Sequence, residues 1–329
     1  KWNQTINFLD TNTSYTSLIR NYKLSLIQIN AIFVTLNPSS STAVLLAKFM
    51  EIIKTKVDCI DSLLNDAQTA AQFMDHKFCK MNFNFLLEKD REVFTIGYNV
   101  SEGKFDSGLY DLLGSESRLA SFIAIAKDDV RKEHWFRLGR QLVPTWTGRA
   151  LVSWTASMFE YLMPMLVLRD YENTLLHETA DSVVKRQIHY GAERHVPWGI
   201  SEAGYNARDL QLNYQYGPFG IPGLGLKRGL SHDLVISPYS TLLAAQVNPV
   251  AAIQNLKRLI KEELLANFGF FESVDYTPER LPESEKFAIV KSFMAHHQGM
   301  SLVSINNVLH NNIVQDRFHR DPRVRATQL

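Results

Sequence analysis

Four glutamates stand in surroundings that are unusual for a carboxylate. Glu116 lies in the segment GLYDLLGSESRLASFIAIAK, whose helical spacing would put it on one face with Leu112, Leu119 and Ile123. An unpaired buried charge is costly, so such a group either gains a cation or holds its proton. Glu116 could therefore face a central cavity, or it could form a buried ion pair, for which the candidate cations are Arg118, Arg137 and Arg149.

The other three glutamates differ in setting. Glu160 lies in the apolar run SWTASMFEYLMPMLVL, where its oxygens could brace neighbouring loops or reach a substrate. Glu202 follows Trp198 in a Gly-Ile-Ser-Glu turn, either as a first-turn acid after a Ser201 cap or as a catalytic group. Glu272 stands in the aromatic turn NFGFFESVDYTPER. Cleavage of a glycosidic bond generally needs two carboxyl groups, and these four supply candidates for that chemistry.

The stretch from His195 to Tyr239 is dense in aromatic rings, glycines and hydrogen-bonding side chains. A sugar presents apolar C–H faces and a rim of hydroxyl groups, so its site needs flat rings and polar groups together. A well-packed surface loop is the alternative explanation. We predict a sugar-binding cleft, with contacts from Glu160, Trp198, Tyr205, Arg208, Asp209, Tyr214, Tyr216, Phe219, Lys227, Arg228, Tyr239, Phe271, Glu272 and His296.

Metal and phosphate motifs are weak in this chain. His296 and His297 are adjacent, and neighbouring residues of a helix point about 100° apart, which disfavours joint ligation of one ion. The HExxH pattern is absent, and the glycines at 223 and 225 lack the spacing of a phosphate loop. The sequence therefore predicts neither a metal nor a cofactor.

Charge and hydropathy exclude further classes of protein. The 329 residues carry 35 basic and 34 acidic side chains, without the basic excess that is typical of nucleic-acid binding. No run approaches the ~18 consecutive apolar residues of a membrane span, so we expect this segment to be soluble. Because it starts without Met and stops abruptly, we expect it to come from a longer chain.

Apolar periodicity predicts helices along most of the chain. Two helices, at 13–36 and 41–75, are expected to form a helical hairpin or linker over residues 1–80. Alternation from Asn82 to Val100, with charged residues at 89–91, predicts a β-hairpin. These patterns favour an all-α chain, an (α/α)6 barrel over residues 81–329 with one small β-hairpin. The predicted helices of that part are 106–127, 148–169, 174–191, 236–246, 248–266 and 285–310.

A succession of motifs supplies a family resemblance. LYDLLGSESRLASFIAIAK, EHWFRLGR, SMFEYLMP, VPWGISEAGYNARD, YQYGPFGIPGLGLKRGL, FGFFESVDYTPER and FMAHHQGMS follow in that order. From about Asn82 onward the chain resembles the glycoamylase-like domain of bacterial cyclic β-1,2-glucan synthases, which is similar in fold to β-1,2-glucanases. SESRL and EAGYN depart slightly from the usual family pattern, but neither departure changes a candidate catalytic group.

The resemblance implies a transglycosylase that cuts linear β-1,2-glucan and closes the retained piece into a ring. The family's glutamates in the SE-x-RL and GISE motifs fall on Glu116 and Glu202. It implies Glu202 as nucleophile and Glu116 as general acid/base, with the exchanged roles as the alternative. An endo-β-1,2-glucanase that hydrolyses, and a β-glucan-binding module without catalysis, are the competing functions.

The resemblance also implies partners and a location. In these synthases the domain lies between a membrane-embedded glycosyltransferase and a phosphorylase-like domain. We therefore expect β-1,2-glucan as substrate, such domains in the same membrane-anchored chain, and a place on the cytoplasmic side of the bacterial inner membrane.

Overall fold

The chain divides into two compact units, Lys1–Met81 and Asn82–Leu329. The computed structural model describes residues 14–328. In the first unit, α1 (Tyr15–Phe33) and α2 (Ser41–Lys80) form a helical hairpin, and the hydroxyl groups of Ser14 and Ser40 cap their N-termini. The two helices predicted here are confirmed, although α2 extends to Lys80 and residue 13 lies outside the described part. The shared apolar seam includes Ile19, Ile29, Leu46, Ile53 and Val57.

The helices of the second unit are mostly short. Only three of those described exceed ten residues, namely Leu175–Glu193, Pro249–Lys261 and Ala295–Leu309. The full set is α3 (Arg118–Ala126), α4 (Glu133–Arg137), α5 (Met158–Leu162), α6 (Leu175–Glu193), α7 (Pro238–Ala244), α8 (Pro249–Lys261), α9 (Ala295–Leu309), α10 (Ile313–Phe318) and α11 (Pro322–Thr327).

Six small antiparallel sheets accompany these helices in the described part of the chain. One three-stranded sheet holds the strands at 87–88, 93–95 and 109–110 in that spatial order, and another holds those at 235–236, 273–275 and 288–290. The other four sheets are two-stranded. The strands are β1 (Leu87–Glu88), β2 (Val93–Thr95), β3 (Tyr98–Asn99), β4 (Lys104–Phe105), β5 (Leu109–Tyr110), β6 (Leu142–Thr145), β7 (Gly148–Leu151), β8 (Ala203–Arg208), β9 (Tyr214–Gly217), β10 (Val235–Ile236), β11 (Leu265–Ala266), β12 (Gly269–Phe270), β13 (Ser273–Asp275) and β14 (Ala288–Val290).

The prediction of an all-α chain is wrong, because about 49% of the structure is helical and 15% is strand. Helix was predicted over 106–127 and 148–169, but strands β5 and β7 occupy the first residues of those ranges. β5 has two residues and β7 has four, which is too short to interrupt the apolar spacing that predicted helix in those ranges. The hairpin predicted around residues 89–91 is present, with Leu87 opposite Phe94.

The main core of the second unit includes the turn that leads to Glu202. It lies among α5, α6, α7, α8 and the sheet β10-β13-β14. Ile200 bridges to Ile236 of β10, so the turn that leads to Glu202 is attached directly to this core. Fully buried members include Met158, Leu162, Ile200, Ile236, Leu243 and Leu259. None of the helices within residues 14–328 is long and apolar enough to cross a membrane.

Candidate active site

Glu116 lies in the turn between β5 and α3, and not inside a helix as predicted, since α3 begins at Arg118. Its side chain is half-buried, and the hydroxyl group of Ser115 donates to Oε2 at 3.0 Å. Burial raises the pKa of Glu116 above its usual value, and the negative charge of Glu160 raises it further. The carboxyl group is therefore suited to keep a proton that a solvated glutamate would lose.

The ion-pair alternative for Glu116 is not supported. Arg118 is buried, and its guanidinium donates to the carbonyl oxygens of Ser115 and Glu160, each at 2.9 Å. Burial lowers the pKa of Arg118 to about 10. Arg137 instead pairs with Glu92 at 2.7 Å. Within residues 14–328 no arginine forms an ion pair with Glu116, although the charge of Arg118 acts to lower the Glu116 pKa.

Glu202 is held by a turn that two buried side chains fix in place. The amide of Gln187 exchanges two hydrogen bonds of 2.9 Å with the backbone of Ile200, and Ser201 Oγ accepts from the Phe159 N–H at 3.0 Å. Gly199 has φ +119°, and a Cβ there would lie 2.5 Å from Ser240 Oγ. The turn therefore needs glycine at this position, and Ser201 caps no helix.

Glu202 and Glu116 are electrostatically coupled. Burial raises the pKa of Glu202 to about 7, with further rises from the charges of Glu116 and Glu160. Opposing effects come from the Tyr216 hydroxyl, 3.4 Å from Oε2, and from the cation of Lys227. Burial raises the pKa of Tyr110, and the charges of Glu116 and Glu202 raise it further. Both carboxyl groups are partly desolvated, which favours the protonated form of each in the free protein.

A buried network adjoins Glu202. The Tyr216 hydroxyl lies 3.4 Å from Nε2 of His297, whose Nδ1 lies 2.9 Å from Oε1 and 3.0 Å from Oε2 of Glu272. Tyr239 stacks on the His297 ring with centroids 3.7 Å apart and planes 11° apart. The Tyr239 hydroxyl lies 2.9 Å from the Glu202 carbonyl oxygen. Glu272 and Tyr239 thus support the site from within the protein and do not line an open cleft.

Glu160 braces the loop at 153–157. It is 4% exposed, and its backbone N–H and side chain complete a capping box with Ser157 at the start of α5. The Thr155 hydroxyl donates to Oε2 at 2.6 Å, which is the shortest of its contacts. The donors around its two oxygens are the hydroxyl groups of Ser153, Thr155 and Ser157 and the backbone N–H groups of Trp154, Thr155 and Ser157. With its oxygens occupied by protein donors, Glu160 acts as a structural anion.

Comparison with known proteins gives the family. A family model described as putative glucoamylase matches residues 109–322, which contain both Glu116 and Glu202. The chain belongs to the glycoamylase family. The resemblance inferred from the motifs is thereby confirmed, and this glycoamylase-family chain is a carbohydrate-active enzyme.

A relative of this glycoamylase-family chain is the cyclic beta-(1,2)-glucan synthase NdvB of Rhizobium meliloti (strain 1021). The two are 47% identical over 249 residues, which is 76% of this chain. The match covers 9% of the relative, so the chain spans less than a tenth of that much larger protein.

The β8–β9 hairpin brings together three predicted contacts of this glycoamylase-family chain. Arg208 donates to the Tyr214 hydroxyl at 2.8 Å and lies 4.5 Å from its ring centroid. Asp209 accepts from the backbone of Asn213 at 2.8 Å and of Gln211 at 2.9 Å, so it closes the hairpin turn. Both Arg208 and the hairpin tip are exposed.

The remaining predicted contacts divide by exposure. Tyr216, Arg228 and His296 are exposed, whereas Lys227 and Tyr205 are half-buried. The Lys227 ammonium donates to the Pro218 carbonyl at 2.9 Å, within the loop that follows β9. Phe219 is buried and packs edge-on against Tyr205 at 5.5 Å. Phe271 is half-buried, 5.3 Å from the Phe293 ring.

Trp198 lies in the core and not on a cleft wall. Its side chain is 7% exposed, and its backbone bonds to the amide of Asn255 at 3.1 and 2.7 Å. A Cβ on Gly191 would come within 2.8 Å of Trp198 Cβ, so α6 packs tightly against this residue.

Replacement of Trp198 by leucine is therefore expected to reduce stability. The smaller side chain leaves a cavity, and we expect the free energy of unfolding to fall by about 2 kcal/mol. Urea unfolding of the two proteins measures this. Replacement of the exposed Trp146 by leucine is the matched control and should change little. Equal stability of the Trp198 variant and the wild type would contradict the core assignment.

The raised pKa of Glu202 predicts a pH-dependent cost to stability. Its pKa is about 7 in the folded state against 4.5 as a reference, so the folded protein holds this proton more tightly than the unfolded chain. Stability should then fall as pH rises from 4.5 to about 7. At pH 8, Glu202→Gln should be more stable than wild type by about 1–3 kcal/mol after allowance for partial solvation.

Thermal unfolding at two pH values tests this expectation. The gain in melting temperature of Glu202→Gln should appear at pH 8 and shrink below pH 4.5, where both side chains are neutral. A glutamine variant that melts below wild type at pH 8 would contradict it.

Three residues of the site were missed by sequence reasoning. They are Ser115, Tyr110 and His297, since His296 was chosen from the adjacent pair. The sequence contains a pattern that predicts burial of His297. Small or polar residues follow it at helical spacing at Ser301, Ser304 and Asn307, and all three are buried on the same helix. Across residues 14–328, no group of three potential ligands is arranged to hold a metal ion.

Proposed function

We propose that this chain is a transglycosylase that acts on linear β-1,2-glucan through a covalent glycosyl-enzyme. The observation that carries the proposal is that Glu116 and Glu202 are both partly buried with a raised pKa, and that the charge of Glu116 raises the pKa of Glu202. The identity to a cyclic β-(1,2)-glucan synthase supports the substrate. Retaining glycoside cleavage needs such a pair, one carboxyl group protonated and the other ionised.

Glu202 acts as nucleophile in this proposal. A donor, the Tyr216 hydroxyl, and a cation, Lys227, stabilise its ionised form. The carboxylate attacks the anomeric carbon while the glycosidic bond breaks, and Glu116 gives its proton to the leaving oxygen. In the second step an acceptor hydroxyl loses its proton to Glu116 and displaces Glu202, which restores both groups.

Transfer to a sugar is favoured over hydrolysis when water is kept from the intermediate. Burial is the largest cause of the raised pKa of both glutamates, and this supports a site that holds little water. The acceptor is then the non-reducing end of the same glucan chain, and the product is a ring. Water as acceptor would give an endo-β-1,2-glucanase instead.

Exposed side chains around the pair supply the sugar contacts. We assign direct contacts to Tyr216, Lys227, Arg228 and His296, which are exposed or half-buried. Trp198, Phe219, Tyr239, Glu160 and Glu272 hold these contacts in place from beneath. We further propose that the segment works within a longer membrane-anchored synthase at the cytoplasmic side of the inner membrane, beside glycosyltransferase and phosphorylase-like domains.

Product masses from linear β-1,2-glucan test the proposal. Rings that are lighter by one water than linear chains of equal length are the expected product. Shorter linear sugars alone would make the chain a β-1,2-glucanase. Binding of the glucan without any product would make it a binding module, and β-1,3- and β-1,4-glucans serve as controls for the linkage.

A further inference from the structure

Four side chains form a line from the protein interior to the proposed nucleophile. Glu272 contacts His297, His297 contacts Tyr216, and Tyr216 contacts Glu202. Glu272 and His297 are 2% and 1% exposed, so this end of the line is shielded from bulk water. The buried His297 does not contact a sugar directly, and its hydrogen-bonded path to the Glu202 carboxyl group runs through Tyr216.

The hydrogen bonds at Glu272 indicate which nitrogen of His297 carries a proton. The Glu272 carboxylate accepts the Gly204 N–H at 3.0 Å and faces Nδ1 of His297 with both oxygens. Since a carboxylate only accepts, Nδ1 carries a proton. Nε2 is then the nitrogen that faces the Tyr216 hydroxyl at 3.4 Å.

The single phenolic proton of Tyr216 cannot serve both of its neighbours. With neutral His297, the proton goes to Nε2, and a protonated Glu202 can donate to the Tyr216 oxygen. With the imidazolium form, Nε2–H donates to Tyr216, and the phenolic proton goes to the Glu202 carboxylate. The two arrangements differ only by the shift of protons along the line.

We propose that His297, held by Glu272, is a positioning residue that takes up through Tyr216 the proton that Glu202 releases before it attacks the sugar. This rests on the proposed role of Glu202 as nucleophile. The O–H bond of Glu202 breaks as Tyr216 Oη gains that proton, and the Tyr216 proton moves to Nε2 of His297. Net charge is unchanged, and the new imidazolium lies against the Glu272 carboxylate.

The surroundings of His297 suit this task. Tyr239 of α7 stacks on its ring and fixes the ring plane, while Glu272 from the segment before β13 faces Nδ1. Tyr216 of β9 faces Nε2, and His296 of the same helix lies 4.0 Å away between centroids. The 3.4 Å contacts are long for hydrogen bonds, and such contacts in free enzymes commonly shorten when substrate binds.

The ionisation of Glu202 can be followed without substrate. Carbon-13 NMR of glutamate-labelled protein gives the titration midpoint of Glu202, assigned by loss of its signal in Glu202→Gln. His297→Asn keeps an amide donor toward Glu272 but cannot take up a proton, so we expect the midpoint to rise by about one pH unit. Tyr216→Phe breaks the line elsewhere and should raise it similarly.

His310→Gln is the matched control, an exposed histidine just beyond the other end of α9, and should leave the midpoint unchanged. If the titration midpoint of Glu202 in both His297→Asn and Tyr216→Phe equals that of the wild type, the inference is overturned.

Kinetics on linear β-1,2-glucan separate this inference from the proposed function. In His297→Asn we expect kcat to fall at least about tenfold, with KM little changed and the acid limb of the pH profile moved to higher pH. A merely structural role would instead lower the melting temperature and leave that limb in place. If the wild type is inactive but the Glu202 midpoint rises in the variants, the proposed function is wrong and the proton line stands. If the wild type is active but the Glu202 midpoint does not rise in the variants, the proton line is wrong and the proposed function stands.

Discussion

Glu116→Gln and Glu202→Gln are each expected to lose at least about a thousandfold in kcat on linear β-1,2-glucan, since each removes one half of a coupled acid and nucleophile pair. The double variant should lose little more than either single one, because residues that act as a unit are not additive. Initial rates of new products, followed by mass, measure the loss.

Folding must be separated from chemistry in this test. Glu202→Gln is expected to be at least as stable as wild type at pH 8, so its inactivity cannot come from unfolding. Glu178→Gln is the matched control, because Glu178 is exposed on α6. Full activity in either site variant would remove that glutamate from the mechanism.

The second large expected effect is a loss of folding stability when Glu160 is replaced. Glu160→Ala would leave the buried hydroxyl and N–H donors of the 153–157 loop without an acceptor. Removal of one partner from such a buried charged network typically costs about 3–5 kcal/mol. Glu160→Gln is also expected to destabilise strongly, because its NH2 group would point at donors.

Urea unfolding of the variants measures this cost. Glu178→Ala should stay within about 0.5 kcal/mol of wild type, as exposed substitutions usually do. A loss below about 1 kcal/mol for Glu160→Ala would mean that the carboxylate does not brace the loop and is free for the substrate contact that the sequence left open.

Sequence reasoning located Glu116 by a helical pattern, yet the residue lies in a turn. The error arose because apolar residues before a short helix share its spacing by chance. Strands such as β10, β13 and β14 pair across long stretches of chain, and no local pattern records those partners. The two N-terminal helices were predictable because their apolar seam repeats over many turns.

The aromatic stretch shows a different limit. Composition marks residues 195–239 as rich in rings, but burial depends on which side of a loop faces the core. Trp198 and Tyr239 face inward and Tyr216 faces outward, although all three were predicted as contacts. The choice between His296 and His297 had the same physical basis, since adjacent residues of a helix point in different directions.

The central claim is that Glu202 forms the glycosyl-enzyme and Glu116 moves the proton. Azide as an added nucleophile tests it most directly, with Glu202→Gly and Glu116→Gly acting on a β-linked gluco-oligosaccharide that carries a good leaving group. With Glu202 as nucleophile, the Glu202→Gly protein should give the α-glycosyl azide by direct displacement. The Glu116→Gly protein should give the β-glycosyl azide through the covalent intermediate. The opposite pairing of anomers would exchange the two roles, and no azide product from either variant would contradict the covalent mechanism.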